Sequence, residues 1–202
     1  MSILFPERPF PVNARLELVS ASNDLASPLG GATQRINRLG DKLQLVLNLP
    51  VMEFEGCGGI WDSRIEQAGR VGALCYLPRQ VIRRGTKGPS GAPRVNGAGQ
   101  AGMALTVDGL TPHFEMVERQ PFSLIVGGVR YLHRLTVAVT ANTAGQATLQ
   151  FAPMLRVTVP DNAVLEIDRP MIEGLPPLGY PAADVSKYGD CTFEVLTISE
   201  SR

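Results

Sequence analysis

Cysteine, histidine and long apolar runs are scarce in this sequence, and each shortage excludes a class of protein. The three cysteines, Cys57, Cys75 and Cys191, are far apart and form no C-x-x-C pair, so neither a disulfide framework nor a zinc site is predicted. The two histidines, His113 and His133, are isolated, which leaves no ligand set for a transition metal. We therefore expect reduced thiols and no bound metal.

No apolar run approaches the ~18 residues that a membrane-spanning helix needs. The N-terminal stretch "MSILFPERPFPV" is broken by three prolines and an acid–base pair, so it lacks the continuous apolar region of a signal peptide. Lysine and arginine (19) balance aspartate and glutamate (19), so no net field draws the chain to nucleic acid or to an anionic membrane. The sequence predicts no membrane partner.

Glycine (21) and proline (16) are abundant, which favours short strands joined by many turns over long helices. The clearest strand pattern is "KLQLVLNLP", in which Leu43, Leu45 and Leu47 recur at every second position. Further strand candidates follow at intervals of about 8–12 residues, with turn residues between them. The sequence therefore predicts a mainly β fold, a sandwich or barrel of short antiparallel strands that forms one domain over residues 13–202.

One segment is typical of a helix and another of an extended arm. Between residues 59 and 70, Trp61, Ile65 and Ala68 fall at positions i, i+4 and i+7, which places them on one helical face. Residues 1–12 contain three prolines, each of which fixes φ and removes a hydrogen-bond donor. We expect this arm either to fray or to lie across a neighbour.

The segment "GAGQAG" at 97–102 matches the G-x-G-x-x-G fingerprint of dinucleotide-binding turns. That fingerprint requires a buried strand before the turn and a helix after it, whose N-terminal amides hold the pyrophosphate. The residues before it are rich in glycine and proline, and "MALTVDGLTP" after it favours a strand. We therefore predict no nucleotide and no other cofactor here, only glycines that allow a turn with positive φ.

No pattern of catalytic residues accompanies these features. The sequence contains no G-x-S-x-G nucleophile motif, and its only histidines are the isolated His113 and His133. Glu53 and Glu55 are two residues apart and would share a face of a strand, but nothing around them indicates a substrate groove. The sequence predicts that the protein is not an enzyme.

Two charged segments are candidates for contact with a neighbouring subunit. Residues 79–100 form a predicted Gly/Pro-rich basic loop without acidic residues. Residues 161–174 carry four acidic side chains against a single arginine. The loop is compatible with a solvated surface, a subunit interface or contact with nucleic acid, although no aromatic residues are interleaved to stack on bases. Pairing the two segments head-to-tail would build a ring. The candidate interface residues are Arg79, Arg83, Arg84, Lys87, Arg94, Asp161, Glu166 and Asp168.

The order of several short patterns between residues 27 and 170 resembles a family of tailed-bacteriophage virion proteins. The patterns are a G-x-G-Q-x-G turn, a D-G turn, an aromatic hairpin around G-G, and a G-x-A-T-L-x-F-x-P-x-L-R strand pair. In this sequence they fall on Gly97, Gly99, Gln100 and Gly102, on Asp108 and Gly109, on Phe122, Ile125, Gly128 and Tyr131, and on Gly145, Ala147, Thr148, Leu149, Phe151, Pro153, Leu155 and Arg156.

The N-terminal "SPLGGATQRINRLGDKLQLVLNLPVME", which leads into a helix with a tryptophan, is similar to the opening of such tail proteins. The position of Leu43 is often aromatic in that family, which is a departure. Residues 171–202 match no part of the pattern. The chain is most like a distal tail protein of the tail tip.

The resemblance implies a structural virion protein of the phage tail, assembled in the host bacterial cytoplasm. Such proteins form a β-rich ring, commonly a hexamer, that joins the tail tube protein to the baseplate hub or the receptor-binding apparatus, together with other tail-tip proteins. DNA would pass through the lumen without specific binding. The alternatives are a receptor- or carbohydrate-binding β-module of the virion, and another assembly protein for tail completion or capsid decoration.

Overall fold

The computed structural model describes residues 2–25, 30, 34–36, 40–85, 88–180 and 183–200. Within them the chain is mainly β, as predicted, with one α-helix, α1 (Gly59–Val71). A wide turn of π-helical type (Phe54–Gly58) precedes α1, and a short 3-10 turn (Arg79–Val81) follows β7. The strands are β1 (Ile3–Leu4), β2 (Asn13–Val19), β3 (Asn23–Leu25), β4 (Gln34–Ile36), β5 (Lys42–Asn48), β6 (Met52–Glu53), β7 (Ala73–Tyr76), β8 (Gly91–Val95), β9 (Ala104–Leu110), β10 (Glu115–Met116), β11 (Pro121–Val126), β12 (Val129–Leu135), β13 (Val139–Thr140), β14 (Ala147–Ala152), β15 (Leu165–Glu166), β16 (Met171–Leu175), β17 (Asp184–Val185), β18 (Asp190–Thr192) and β19 (Leu196–Glu200).

The first sheet combines strands from both ends of the chain, in the order β1-β7-β16-β19-β5-β2. β1 runs parallel to β7, and the other neighbours are antiparallel. In β5, Leu43, Leu45 and Leu47 are buried while Asn48 is exposed, which confirms the alternation predicted from the sequence. These leucines form the centre of the first hydrophobic core.

The helix packs against the first sheet through the face that the sequence predicts. Trp61, Ile65 and Ala68 are all buried in the first core. The ring of Phe5, which follows β1, meets the Trp61 ring edge-on with 5.5 Å between the centroids. Gly72 ends the helix with φ near +99°, a backbone conformation that glycine adopts without steric cost.

The second sheet has the order β15-β11-β12-β14-β9-β8 and curls into a nearly closed barrel. Its neighbouring strands are antiparallel, and a backbone bridge between Arg94 and Val164 links β8 back to the residues just before β15. A separate core, which includes Leu105, Phe122 and Phe151, fills the barrel. The sequence predicts either a sandwich or a barrel, and this half of the fold is a barrel.

Polar contacts join the barrel to the first sheet. The Ser123 hydroxyl in β11 donates to the Met171 carbonyl (2.7 Å) and accepts from the Met171 amide (2.8 Å) in β16. The Arg130 amide in β12 donates to the Glu173 carboxylate (2.9 Å). Three smaller sheets complete the fold: β6-β18-β17, β10-β13 and β3-β4.

Part of the segment predicted as a basic loop, residues 79–100, is regular structure. Residues Gly91–Val95 form β8, which pairs with β9, and Arg79–Val81 form the 3-10 turn. In β8, Pro93 and Val95 are buried while Arg94 is exposed, so the strand has a period of two. The glycines and prolines around it conceal this pattern in the sequence.

The segment predicted as an arm, residues 1–12, is partly built into the first sheet. Ile3–Leu4 pair with Ala73–Leu74, and Phe5 is buried, whereas residues 6–12 lie outside the strands. The first sheet also takes in the beginning of the Pro/Gly-rich stretch 171–184, because its first five residues form β16. Gly174 allows β16 to lie close to its neighbour, since a Cβ there would lie 2.1 Å from the Ser199 carbonyl oxygen.

Candidate subunit interface

The glycine segment at 97–102 is a turn whose amide groups are used within the chain. Gly97, Gly99 and Gly102 have φ near +96°, +77° and +88°, which confirms the predicted turn. The Gly97 amide donates to the Asp161 carboxylate (2.8 Å), and the Gly99 amide donates to the Val159 carbonyl (2.9 Å). These two amides point at protein oxygens, so they are not available to bind a phosphate.

Gln100 holds this turn in place. Its side-chain amide group donates to the carbonyls of Asn96 (2.8 Å) and Gly97 (3.0 Å), and its side-chain oxygen accepts from the Thr106 amide (2.7 Å). Strand β9 follows the turn, where a dinucleotide site would have a helix. The glutamine in the pattern therefore has a structural role.

The described part of the chain holds no group of three or more histidine, cysteine, aspartate or glutamate side chains that could bind a metal ion. Among the same residues, no helix is both long and apolar enough to cross a membrane.

The acidic candidates bind partners in their own chain. Glu166 forms a two-pronged ion pair with Arg130, with both N–O distances at 2.9 Å. The Asp168 carboxylate accepts from the Ser90 amide (3.1 and 3.2 Å), and Asp161 accepts from Gly97 as described above. Asp168 and Asp161 therefore contact residues 90 and 97 of the basic segment within the chain, whereas Arg130, the partner of Glu166, lies outside that segment.

The basic candidates keep exposed guanidinium groups. Arg94 donates one hydrogen bond to the Asn162 carbonyl (3.3 Å), and Arg83 donates one to the Glu118 carbonyl (3.4 Å). Arg84 donates to the Asp168 carbonyl, and Arg79 is exposed in the 3-10 turn. Each guanidinium has five N–H donors, so these arginines retain donors for a partner. Lys87 lies outside the described residues.

A groove of about 560 Å³ lies between the N-terminal segment, the 3-10 turn and the residues after β15. Four arginines line it, and we call it the basic groove: Arg8, Arg79, Arg84 and Arg169. Proline, aromatic and aliphatic side chains form much of its walls, including Phe10, which is 59% exposed. Two acidic residues also line it, and one of them, Glu7, is paired with Arg169 at 2.7 Å. The groove thus combines apolar surface with an excess of positive charge.

The three-stranded sheet β6-β18-β17 carries the opposite charge. Glu53 in β6 lies directly opposite Asp190 in β18, and both side chains are exposed. Like charges placed opposite one another on paired strands are destabilising. Within the described part of the chain neither carboxylate forms an ion pair. We call this surface the acidic sheet; the exposed carboxylates on its strands are Glu53, Asp184 and Asp190.

A buried carboxylate connects the two halves of the fold. Glu200, in β19, accepts from the Leu43 amide of β5 (2.8 Å) and from the Leu132 amide of β12 (2.7 Å). Its carboxylate also lies 2.9 Å from Arg156, whose guanidinium is stacked over the Tyr131 ring. Burial raises the pKa of Glu200, although Arg156 and the two amides act in the opposite direction. Glu200 thus holds the barrel against the first sheet.

His133 lies in β12, packed against the rings of Phe122 and Phe151, and is almost fully buried. Its Nδ1 lies 2.8 Å from the Pro153 carbonyl oxygen; since a carbonyl can only accept, Nδ1 carries the proton. Burial lowers the pKa of His133 from 6.5 to about 4, and the charge of Arg156 contributes in the same direction. His133 is thus a buried residue packed between aromatic rings.

This burial predicts how stability depends on pH. In the unfolded chain His133 binds a proton near pH 6.5, whereas in the folded chain it does so only near pH 4. The neutral form of His133 therefore contributes its full stability to the fold above pH 6.5. As pH falls from 6.5 to about 4, the free energy of unfolding should decrease by up to ~3 kcal/mol because of this histidine. Denaturant titrations of the wild type and of His133→Gln should therefore show a shallower pH slope in the variant over this range.

The matched control is His113→Asn, because His113 is exposed and asparagine tolerates its φ near +59°. The control should keep the wild-type slope. Glu200, with its raised pKa, acts in the opposite sense, because its protonation on acidification favours the folded state. Only the difference between variants therefore isolates His133. Equal slopes for the wild type and His133→Gln would contradict the prediction.

The residues of the phage-tail pattern occupy structural positions of the barrel. Phe122, Leu149 and Phe151 are buried in its core, and a Cβ on Gly145 would lie 2.1 Å from the Leu110 carbonyl oxygen. A scan of the sequence against models of known protein families finds no match, and neither does a search of curated proteins.

Sequence reasoning did not find the acidic sheet or Glu200. Glu53 and Asp190 are far apart in the sequence, and only the pairing of β6 with β18 places them together. Glu200 shares the buried face of β19 with Leu196 and Ile198, but a glutamate at such a position is ordinarily exposed. Local patterns carry no information about either contact, because both arise from strands that meet across the fold.

Proposed function

We propose that this chain is a structural, non-enzymatic protein of a tailed-phage tail tip, which forms a ring between the tail tube and the baseplate hub or receptor-binding apparatus. The resemblance of residues 27–170 to such tail proteins motivates the proposal. The observation that carries it is the presence of two surfaces of opposite charge, the basic groove and the acidic sheet, on a chain of zero net charge.

Two different complementary surfaces favour a head-to-tail contact, in which the acidic sheet of one copy meets the basic groove of the next. Contacts of that kind close into a ring when the rotation between copies allows it. The unrelieved repulsion between Glu53 and Asp190 would fall when a neighbour's arginines approach. The exposed Phe10 and the prolines of the groove would supply apolar contact area beside these charges.

The proposed partners are further copies of the chain, the tail tube protein, the baseplate hub and other tail-tip proteins. Assembly would take place in the host bacterial cytoplasm, and the mature location would be the virion tail. DNA would pass through the lumen without specific binding, which agrees with the balance of 19 basic and 19 acidic residues. The arginines of the groove would face a neighbouring subunit in this arrangement.

A carbohydrate-binding module is less well supported. Sugar binding relies on exposed aromatic faces, and the single tryptophan, Trp61, is only 2% exposed because it packs in the first core. Tyr188 is 81% exposed but stands in a turn, with Lys187 stacked over its ring. These two residues give no reason to prefer a sugar site to an assembly surface.

The proposal predicts a closed ring in solution. Light scattering of the purified chain at low salt should give the mass of a defined oligomer, and negative-stain images should show rings. Because exposed charges are screened within about 10 Å at 0.1 M salt, the oligomer should weaken as salt is added. A chain that stays monomeric at all protein concentrations and binds glycans would overturn the proposal.

A further inference from the structure

Two of the three cysteines, far apart in the sequence, belong to segments that pack together. Cys57 lies in the π-type turn Phe54–Gly58, and Cys191 lies in β18. Cys191 pairs with Met52 of β6, directly before the turn, and the Phe54 amide donates to the Gly189 carbonyl (2.8 Å). The backbone at Cys191 and just before it therefore contacts the segment that leads into the Cys57 turn.

The sulfur of Cys191 points at this turn. A Cβ built on Gly58 would lie 2.3 Å from the Cys191 Sγ, so the sulfur occupies the space that a side chain at position 58 would need. Gly58 is the residue immediately after Cys57. Cys191 is part of the first hydrophobic core, and Cys57 packs against that core.

The two thiols differ in access and influence each other electrostatically. Cys57 is half-buried, so a small reagent can approach it, whereas Cys191 is fully buried. Burial raises the pKa of the Cys191 thiol, and the proximity of Cys57 raises it further. A charge effect of one thiol on the other agrees with the packing of the Cys191 sulfur on the Cys57 turn.

We propose that Cys57 and Cys191 are a redox pair that forms a reversible disulfide within the chain when the protein meets a low-molecular-weight disulfide oxidant. The bond would tie the turn before α1 to the acidic sheet. All three cysteines are free in the structure, which corresponds to the reduced form. The inference does not depend on the proposed function.

The reaction proceeds by two thiol–disulfide exchanges. The Cys57 thiolate, after losing its proton to solvent, attacks one sulfur of the oxidant and releases the other half as a thiolate, which leaves a mixed disulfide on Cys57. The Cys191 thiolate then attacks the Cys57 sulfur and releases the second half. Two protons leave the protein, and two electrons pass to the oxidant, which is reduced to two thiols.

Treatment of the folded chain with oxidised glutathione near pH ~8.5 tests the proposal. The wild type should lose two of its three titratable thiols, and its mass should fall by two hydrogens without added glutathione. Peptide mapping should link Cys57 to Cys191, and dithiothreitol should restore all three thiols. The oxidised chain should also have a higher Tm, because the bond closes a long loop.

Matched variants separate the pair from the third cysteine. Cys75 is buried and its pKa is raised to about 12, so Cys75→Ser should form the same bond as the wild type. Cys57→Ser should form none, and Cys191→Ser should stop at a glutathione adduct on Cys57. If Cys191→Ser does not fold, Cys57→Ser supplies the decisive comparison. Three thiols remaining in the treated wild type, or a bond to Cys75 or between chains, would overturn the proposal.

Discussion

Glu200→Ala is expected to lower the free energy of unfolding by about 3–5 kcal/mol, the largest effect of a single substitution that the structure predicts. The change leaves the buried amides of Leu43 and Leu132 without their acceptor, and it leaves the Arg156 charge without its counter-ion. Breaking a buried ion pair at one partner costs far more than deleting an exposed one. Chemical denaturation monitored by circular dichroism measures this loss.

The matched control is Glu194→Ala, since Glu194 lies six residues earlier in the chain and its side chain is exposed. We expect that control to change stability by less than ~0.5 kcal/mol. Adding Arg156→Leu to Glu200→Ala should recover part of the loss, because the unpaired buried charge is then removed. If Glu200→Ala and Glu194→Ala were equally stable, Glu200 would not join the two halves of the fold as described.

Reversing two charges of the basic groove, Arg8→Glu together with Arg79→Glu, is expected to weaken self-association at least ~100-fold. Both side chains are exposed and line the groove, so the fold should be unaffected. The introduced carboxylates would face the carboxylates of Glu53 and Asp190 on the next copy. Light scattering across a protein concentration series gives the change in affinity.

A charge swap makes this prediction specific. The reciprocal variant, Glu53→Arg with Asp190→Arg, should also fail to assemble alone, but an equal mixture of the two double variants should assemble again. Each variant then offers the surface that the other requires. Arg70→Glu is the control, because Arg70 lies on α1 outside the basic groove and pairs with Glu66. Assembly unaffected by both reversals would disprove the interface, while the ring itself would stand.

Sequence patterns predicted those elements whose signal is local. The alternation of leucines in β5 and the spacing of Trp61, Ile65 and Ala68 in α1 are both determined by the burial of one face, so each is visible in a short window. The positive φ of Gly97 and Gly99 was predictable for the same reason, because only glycine takes that conformation freely. The mainly β class followed from these signals.

The elements that sequence patterns missed depend on distant partners. β16 contains Gly174 and precedes two prolines, so its strand propensity is low, and its neighbours β7 and β19 stabilise it instead. The partners of Glu166 and Asp168 within the chain, Arg130 and Ser90, are likewise far from them in the sequence. Spacing along a chain cannot reveal which strands become neighbours.

In the sequence, the barrel lies between strands of the first sheet, and this order has a consequence for synthesis on the ribosome. All six barrel strands lie between residues 91 and 166, so the barrel can close while later residues are still being added. The first sheet cannot be completed at that stage. Until β16 and β19 emerge, the β1-β7 pair and the β5-β2 pair are separate, with leucines of β5 uncovered. Both of these strands follow the barrel in the sequence, so the two pairs can be joined only after the barrel has been translated.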